Sequence, residues 1–208
     1  MKLFGLAASV KNAAAAAVVV TTGLAGLCIS TAAHATTVLK VSVADMVAGS
    51  ALVIRARVLS ITNVDERTST KGARDGLFTD VEVSILETYA GKSVPTRCTL
   101  RLMGGVGRDG IALTVPGMPR FSVNEEVVLF LEQGLSGYVP IGLQQGVWRV
   151  YRTPVTPALV EQNTAGLLVM GRNQAGGIVP DAESHARPRA QRLLSDLVAE
   201  IHASVPTK

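Results

Sequence analysis

The sequence is poor in cysteine, histidine and aromatic residues. Its 208 positions hold 2 cysteines, 3 histidines and 4% aromatic residues. Cys28 lies in an apolar N-terminal segment that is predicted below to be a cleaved signal peptide. Its removal would leave Cys98 without a partner for an intrachain disulfide. His185 and His202 lie towards the C-terminus, without the short spacing or neighbouring cysteines of zinc ligands. These absences argue against a disulfide scaffold and against a metal site, and we expect no cofactor.

The chain also lacks a recognisable catalytic set. Ser136, in the stretch GLSGY, is not part of the G-x-S-x-G turn that exposes the nucleophile of many hydrolases. Cys98 alternates with Leu100 and Leu102 in TRCTLRLM, which places its thiol on the apolar face of a predicted strand. Buried structural thiols of this kind are inert. We therefore expect a protein without enzymatic activity, and a hydrolase with an unrecognised site stays as the alternative.

A strong excess of charge of one sign is missing as well. The formal net charge is +4, and it falls to +2 without Lys2 and Lys11, because 18 basic residues then face 16 acidic ones. Trp148 has only Tyr151 as an aromatic neighbour. Nucleic-acid-binding proteins normally combine a concentrated basic surface with aromatic stacking partners. We expect no nucleic-acid partner.

The first 35 residues have the features of a signal peptide. An alanine-rich apolar run over residues 13–29 follows a basic start. Ala33-His34-Ala35 matches the A-x-A signature, so cleavage is predicted between Ala35 and Thr36. A membrane anchor is the alternative, because about 20 apolar residues can span a bilayer. The cleavage signature predicts a secreted or periplasmic protein with no stable membrane insertion after processing.

Alternation of apolar and polar residues predicts a β-rich domain over residues 36–152. A polar loop is predicted at residues 63–76. The glycine-rich residues 104–110 predict a wide hairpin, since a strand pattern follows them where a phosphate-binding loop would need a helix. The predicted strands are residues 52–61, 78–86, 96–103, 111–115, 127–131, 138–143 and 147–151.

Charged residues occupy the polar face of two of these strands. Arg55 and Arg57 alternate in the first strand, and Asp80 and Glu82 alternate in the second. If the two strands pair antiparallel, the acids are expected to face the arginines. Such cross-strand pairs contribute about 0.2–1 kcal/mol each. The pattern therefore predicts structural ion pairs in place of a catalytic carboxylate pair.

The stretch PGMPRFSVNEEVVLFL, residues 116–131, combines a bend with the most apolar predicted strand. Pro116 and Pro119 disfavour a helix and turn the chain. Phe121 and Val123 are expected to plug one end of a barrel. Residues 127–131 are apolar at every position, which predicts a strand covered on both faces.

Two helices are predicted at the ends of the mature chain. Ser42-Val43-Ala44-Asp45 has the form of a capping box and predicts a helix over residues 43–48. Pro188 favours the first turn of an amphipathic helix. Its apolar face consists of Leu193, Leu194, Leu197, Val198 and Ile201. Residues 153–208 are expected to form a C-terminal extension, with a hairpin and this helix packed on the barrel; a free helix that binds a partner is the alternative.

Together these elements predict a mainly β fold, a five- to six-stranded OB-like Greek-key barrel with a short N-terminal helix and a C-terminal amphipathic helix. ALVIRARVLSI, FTDVEVSILETYAGK and GMPRFSVNEEVVLFLE resemble the netrin-like domains of tissue inhibitors of metalloproteinases. The chain also resembles a group of small exported bacterial proteins of unassigned function, which share a strand like LVIRARV, a PRF-x-V turn and a closing strand like GLQQGVWRV. The resemblance covers about residues 38–152.

These observations favour an exported, non-enzymatic binding module with a protein partner. The resemblance implies an alternative, inhibition of an exported zinc protease. In those inhibitors the amine and carbonyl of the first residue chelate the protease zinc, and the next side chain enters the specificity pocket. By this resemblance Thr36 would chelate and Thr37 would enter the pocket. The cysteines that fix the inhibitors' N-terminus are missing here, and with them that source of preorganisation.

Overall fold

The computed structural model of this chain describes residues 36–67, 76–91 and 95–206. The predicted signal peptide, with Ala35 at its cleavage site, lies outside these residues. Strands make up 49% of the structure and helices 17%, so the predicted mainly β class is confirmed. None of the helices in the described ranges is long and apolar enough to cross a membrane.

Thirteen strands and three α-helices follow one another along the described residues, with a 3-10 helix at Leu143–Gly146. The strands are β1 (Thr36–Leu39), β2 (Leu52–Asp65), β3 (Leu77–Gly91), β4 (Arg97–Met103), β5 (Gly105–Val106), β6 (Ala112–Leu113), β7 (Glu126–Gln133), β8 (Tyr138–Pro140), β9 (Val147–Tyr151), β10 (Leu159–Asn163), β11 (Leu167–Arg172), β12 (Ile178–Pro180) and β13 (Arg189–Leu193). The helices are α1 (Val43–Gly49), α2 (Ala182–Ala186) and α3 (Leu194–Ser204).

Five strands close into a barrel in the order β2-β3-β4-β8-β7, with β7 pairing back onto β2. β4 and β8 are parallel, and the other neighbours in the barrel are antiparallel. This arrangement is compatible with an OB-like barrel. One edge of β7 has two partners, because residues 131–133 pair with β8 and residues 127–129 pair with β9. The sheet therefore continues out of the barrel into β9, β10 and β13.

Strand β7 separates two hydrophobic cores. Val127, Leu129 and Leu131 belong to the core inside the barrel, whereas Val128 and Phe130 belong to a second core outside it. All five side chains are fully buried. The second core includes apolar residues of α1 and α3, so these helices cover the outer face of the strand. The prediction that residues 127–131 are covered on both faces is confirmed.

Strand β2 is longer than its apolar alternation predicts. Leu52, Ile54 and Val58 are buried inside the barrel as expected. Pairing with β3 continues, however, as far as Asp65 opposite Leu77. Residues 63–65 of the predicted loop are therefore strand, and residues 68–75 lie outside the described ranges. Backbone hydrogen bonds carry a strand on through polar residues wherever a partner strand is present.

The acids of β3 pair with a different neighbour from the one predicted. Asp80 lies opposite Arg101 of β4 and approaches its guanidinium to 2.7 Å. Glu82 lies 3.3 Å from the guanidinium of Arg97, which is also in β4. β3 has β2 on one side and β4 on the other, and its register with β2 places no arginine opposite either acid. The two arginines of β2 bind Glu126 of β7, and Arg55 also binds Glu87 of β3 at 3.0 Å.

Helix α1 begins with the predicted capping box. The hydroxyl oxygen of Ser42 accepts the backbone N–H of Asp45 at 3.1 Å, and the hydroxyl lies 2.6 Å from the Asp45 carboxylate. The cap satisfies a backbone N–H that the first turn of a helix leaves without an intrahelical partner. Met46 and Val47 face the second core and are buried. The short N-terminal helix is thus confirmed.

Pro188 precedes a strand, not a helix as predicted. The five residues after it form β13, which pairs antiparallel with β10, and α3 begins only at Leu194. Proline is tolerated both in the first turn of a helix and at the edge of a sheet, so pairing with β10 decides the outcome. The amphipathic helix itself is confirmed, because Leu197 and Ile201 are buried in the second core. Leu193 lies outside the helix and is 36% exposed.

The sheet runs through the expected boundary at residues 152 and 153. β10 pairs with β9, so that Gln162 lies opposite Trp148. The hairpin predicted around Arg172 is formed by β11 and β12, with Met170 opposite Pro180. β1 pairs in parallel with β11 and adds residues 36–39 to this smaller sheet.

Candidate functional site

A groove lies on the outer side of the barrel between β4 and β8, and we name it the β4–β8 groove. Its volume is about 510 Å³. Its apolar lining consists of Phe78, Met103, Met118, Leu135, Val139 and Leu143. Met103 is 55% exposed and Leu135 is 95% exposed. A concave surface with exposed apolar side chains is typical of a binding site.

The groove arises where β4 and β8 diverge. The two strands pair at a single position, Leu100 opposite Tyr138. β4 continues to Met103 and β8 continues to Pro140, but these later residues do not pair with each other. The barrel is therefore closed here by one bridge, and space opens beside it.

The turn between β7 and β8 forms one wall of the groove. The backbone N–H of Gly134 donates to the carbonyl oxygen of Gly137 at 2.8 Å. Gly137 has a φ of 152°, and a Cβ at this position would lie 3.0 Å from the carbonyl oxygen of Thr99. Glycine is thus required for the turn to approach β4 so closely. The turn leaves Leu135 exposed at its tip.

The charges of the groove are mainly negative. Arg101 forms ion pairs with Asp80 and Glu66, both at 2.7 Å, and its guanidinium carbon lies 5.6 Å from the centre of the Phe78 ring. Hydrogen bonding to Asp80 raises the pKa of Arg101, which keeps its charge. Glu132 is exposed and takes part in none of the ion pairs found within the described ranges. Three carboxylates therefore accompany one guanidinium.

A second cavity, the mouth cavity, adjoins the groove at one end of the barrel. Its volume is about 400 Å³, and it shares Met103 and Met118 with the groove. Val81 from the barrel interior and Phe121 from the bend also line it. Phe121 packs against the barrel core as predicted, whereas Val123 is 52% exposed and does not plug the barrel. The two cavities form neighbouring apolar surfaces.

Arg120 is held in the bend through its backbone. Its carbonyl oxygen accepts a hydrogen bond of 2.6 Å from the guanidinium of Arg149, which also pairs with Glu125 at 2.6 Å. The Arg120 side chain is exposed at the rim of the mouth cavity. The bend is thus anchored to β9 by Arg149.

The predicted N-terminal residues lie in β1. The backbone N–H of Thr36 donates to Gly166 at 3.4 Å, and its hydroxyl donates to the carbonyl oxygen of Pro116 at 2.6 Å. Thr37 is exposed. The start of β1 is therefore tied both to β11 and to the bend, of which Met118 lines the groove.

Cys98, His185 and His202 lie in different parts of the described structure. Cys98 is a buried free thiol, and burial raises its pKa to about 11. His202 packs its ring edge-on against Tyr89, with the ring centres 5.9 Å apart, and His185 is exposed on α2. Within the described ranges, no group of three or more His, Cys, Asp or Glu side chains is placed to hold a metal ion.

Neither the protein-family models nor the curated proteins contain a match to this chain.

The sequence does not point to the groove. In the sequence Met103 is predicted to end a strand and Leu135 to lie in a turn. The pattern of apolar and polar residues therefore assigns neither residue to a binding site. A signal was present in GLSGY, where a leucine occupies the tip of a glycine turn between two strands. Alternation also places Met103 on the polar face of β4, where an apolar side chain has to be exposed or covered from outside.

Proposed function

We propose that this protein is an exported, non-enzymatic binding module that holds a protein partner in the β4–β8 groove. The observation that carries the proposal is the exposure of Leu135 and Met103 in a concave, largely apolar surface. Exposure of such side chains to water is unfavourable. Their burial beneath a partner would stabilise the complex by about 25 cal/mol per Å² of apolar area. The flexible side chains of Met103 and Met118 can adapt to a partner's shape.

The ion pairs of Arg101 and the protonation of Cys98 favour binding over catalysis. Arg101 in the groove lining is neutralised by Glu66, which also lines the groove, and by Asp80. The raised pKa of Cys98 keeps its thiol protonated, and its burial keeps it from substrate. The predicted signal peptide places this binding outside the cytoplasm, in the periplasm or the medium.

We also propose that the barrel is related to a known class of domain. The barrel order β2-β3-β4-β8-β7 supports a netrin-like domain of the type found in tissue inhibitors of metalloproteinases. The sequence strings quoted above support the same relationship over about residues 38–152. On this view β9, β10, β13 and the two packed helices are additions to the barrel.

A photo-crosslinking experiment tests the groove as the partner site. A benzophenone amino acid replaces Leu135 in one variant and Val155 in a control variant. Val155 is 89% exposed, nearly as much as Leu135 at 95%, but it lies outside the groove. Irradiation of cells that export each variant should give a discrete protein adduct at position 135 and none at position 155.

The crosslink must also depend on the groove's apolar lining. A Met103→Asp substitution in the Leu135 crosslinking variant should abolish the adduct while leaving the folded state intact, because Met103 is already half in solvent. Equal adducts at positions 135 and 155, or an adduct that survives Met103→Asp, would refute the groove as the binding site.

Inhibition of an exported zinc protease is the second candidate. The parallel pairing of β1 with β11 and the hydrogen bond from Thr36 to Pro116 favour it, because they hold the N-terminus in place without disulfides. In this reading Thr36 supplies the chelating amine and carbonyl, and the exposed Thr37 enters the protease pocket.

Extension of the mature chain tests this second candidate. One alanine added before Thr36 moves the free amine by about 3.5 Å, too far to chelate the same zinc ion. The extended protein should therefore lose inhibition of a purified zinc protease that the native N-terminus inhibits. A Thr37→Gly variant, which keeps the amine, should weaken inhibition without abolishing it. Full inhibition by the extended protein would exclude the mechanism.

A further inference from the structure

We infer that the partner enters the β4–β8 groove as an extended, basic and apolar segment that pairs its backbone with the free edge of β4. This inference rests on the proposed function and adds the chemistry of the ligand. Such strand addition gains affinity from main-chain hydrogen bonds and selectivity from alternate side chains.

The edge of β4 carries the first part of the inference. β4 pairs with β3 along its whole length, from Arg97 to Met103. On its other side it pairs only at Leu100, so residues 101–103 have no strand partner there among the described residues. Alternate backbone groups of a strand point to opposite edges, and an unpaired edge is a template for another strand.

The side chains around this edge select an apolar face. Along an added strand, alternate side chains would point to the outer side of the sheet, where Met103 and Val139 lie. Phe78 and Leu143 extend the same apolar surface. A partner segment with small or branched apolar residues at every second position would fit this surface.

The charge of the groove selects a basic segment. Arg101 is already paired with Asp80 and Glu66, so it offers little to an acidic ligand. Glu132 on β7 is exposed at the rim without an ion pair in the described part of the chain. A lysine or arginine next to an apolar position of the partner would bring its charge to this carboxylate.

A synthetic peptide tests the inference without knowledge of the natural partner. The probe is a capped heptapeptide, Thr-Val-Lys-Val-Lys-Val-Thr, titrated into the ¹⁵N-labelled mature protein and followed by NMR. We expect saturable shifts of the backbone amide signals of residues 101–103 and of Val139. An analogue with N-methyl groups on its central three residues should bind at least about tenfold more weakly, because it loses several backbone hydrogen bonds.

A comparison of two peptides of opposite charge tests the preference of the groove for a basic segment. A second peptide with glutamate in place of both lysines should bind about 2- to 5-fold more weakly to the native protein. Glu132→Gln should reduce this difference. Asp196→Asn, which removes an exposed carboxylate on α3, should leave the difference unchanged.

The outcomes separate the inference from the proposed function. If the N-methylated peptide binds as well as the parent, or if the amide signals of residues 101–103 do not shift, strand addition to β4 is refuted. If the lysine and glutamate peptides bind equally, selection of a basic segment is refuted. The crosslink at position 135 tests the groove independently, so a specific adduct would retain the binding function in either case.

Discussion

Glu126, at the start of β7, is surrounded by arginines. Its carboxylate lies 2.8 Å from Arg55, 2.7 Å from Arg152 and 3.5 Å from Arg57, and its side chain is only 10% exposed. The sequence predicts that the two arginines of β2 pair with Asp80 and Glu82 of β3. In the structure both arginines bind Glu126 of β7, and Arg55 also binds Glu87 of β3. Alternation gives the face on which a side chain lies, and it does not give the strand that lies next to it.

Replacement of this carboxylate should change both stability and its pH dependence. Burial raises the pKa of Glu126, but hydrogen bonds from Arg152 and Arg55 outweigh burial and lower the pKa from 4.5 to about 2. A carboxylate whose pKa falls on folding stabilises the fold above its unfolded pKa, and this contribution is lost as the pH falls towards the folded pKa. Glu126→Gln should lower the free energy of unfolding near neutral pH by about 1.5–3 kcal/mol.

Urea denaturation as a function of pH measures this effect. The difference in stability between native protein and Glu126→Gln should be constant above the unfolded pKa of 4.5 and shrink as the pH falls towards 2. Glu183→Gln is the control, because the Glu183 side chain is 76% exposed and its pair with Lys40 should contribute at most about 1 kcal/mol. A Glu126→Gln deficit that stays the same throughout this pH range would contradict the assignment.

Among the elements, β7 is a strand whose two faces are both buried in hydrophobic cores. Leu129 has no exposed surface and packs inside the barrel. Leu129→Ala should lower the free energy of unfolding by about 2–5 kcal/mol through lost burial and the cavity left behind. Val123→Ala, at a position 52% exposed, should change stability by less than about 0.5 kcal/mol in the same denaturation assay. Similar losses for the two variants would mean that β7 is not central.

The cap of α1 is a local element whose contribution can be measured separately. Ser42→Ala removes the oxygen that accepts the Asp45 N–H, and it should lower stability by about 0.5–2 kcal/mol. Ser42→Asn keeps an acceptor without placing a second negative charge beside the Asp45 carboxylate, and it should retain most of the stability. Thermal unfolding followed by circular dichroism can compare the two. A full loss in Ser42→Asn would indicate that the hydroxyl acts in some way other than as a cap.

At the scale of the whole molecule, the C-terminal residues complete the second core. Leu197 and Ile201 of α3 pack with Val160 of β10 against the outer face of the barrel strands. A chain of residues 36–152 would leave Phe130 and Trp148 without this cover. Exposure of that much apolar surface should give a chain that binds the dye ANS and lacks a cooperative unfolding transition.

A shorter deletion is the control for this truncation. Removal of residues 206–208 leaves α3 intact, because the helix ends at Ser204. This variant, residues 36–205, should unfold like the chain of residues 36–208. A cooperative transition in the chain that ends at Arg152 would instead show that the barrel is stable without the second core.

Prediction from the sequence succeeds where the cause is local. The cap at Ser42 involves residues three apart, and the two buried faces of residues 127–131 follow directly from their composition. It fails at Pro188, where the same residues suit a helix start and an edge strand. It also fails to find the groove, because Met103 and Leu135 come together only through the strand order.

The sequence by itself therefore determined the mainly β class, the strand faces and the two packed helices, because these depend on side-chain alternation and on contacts within a few residues. Tertiary structure decided which strands are neighbours, which carboxylate meets each arginine, and where residues 189–193 pair. It also decided that β4 and β8 separate after Leu100, which is what creates the groove. That separation depends on the closure of the whole barrel and on the close approach of Gly137 to Thr99, and no single stretch of sequence contains both.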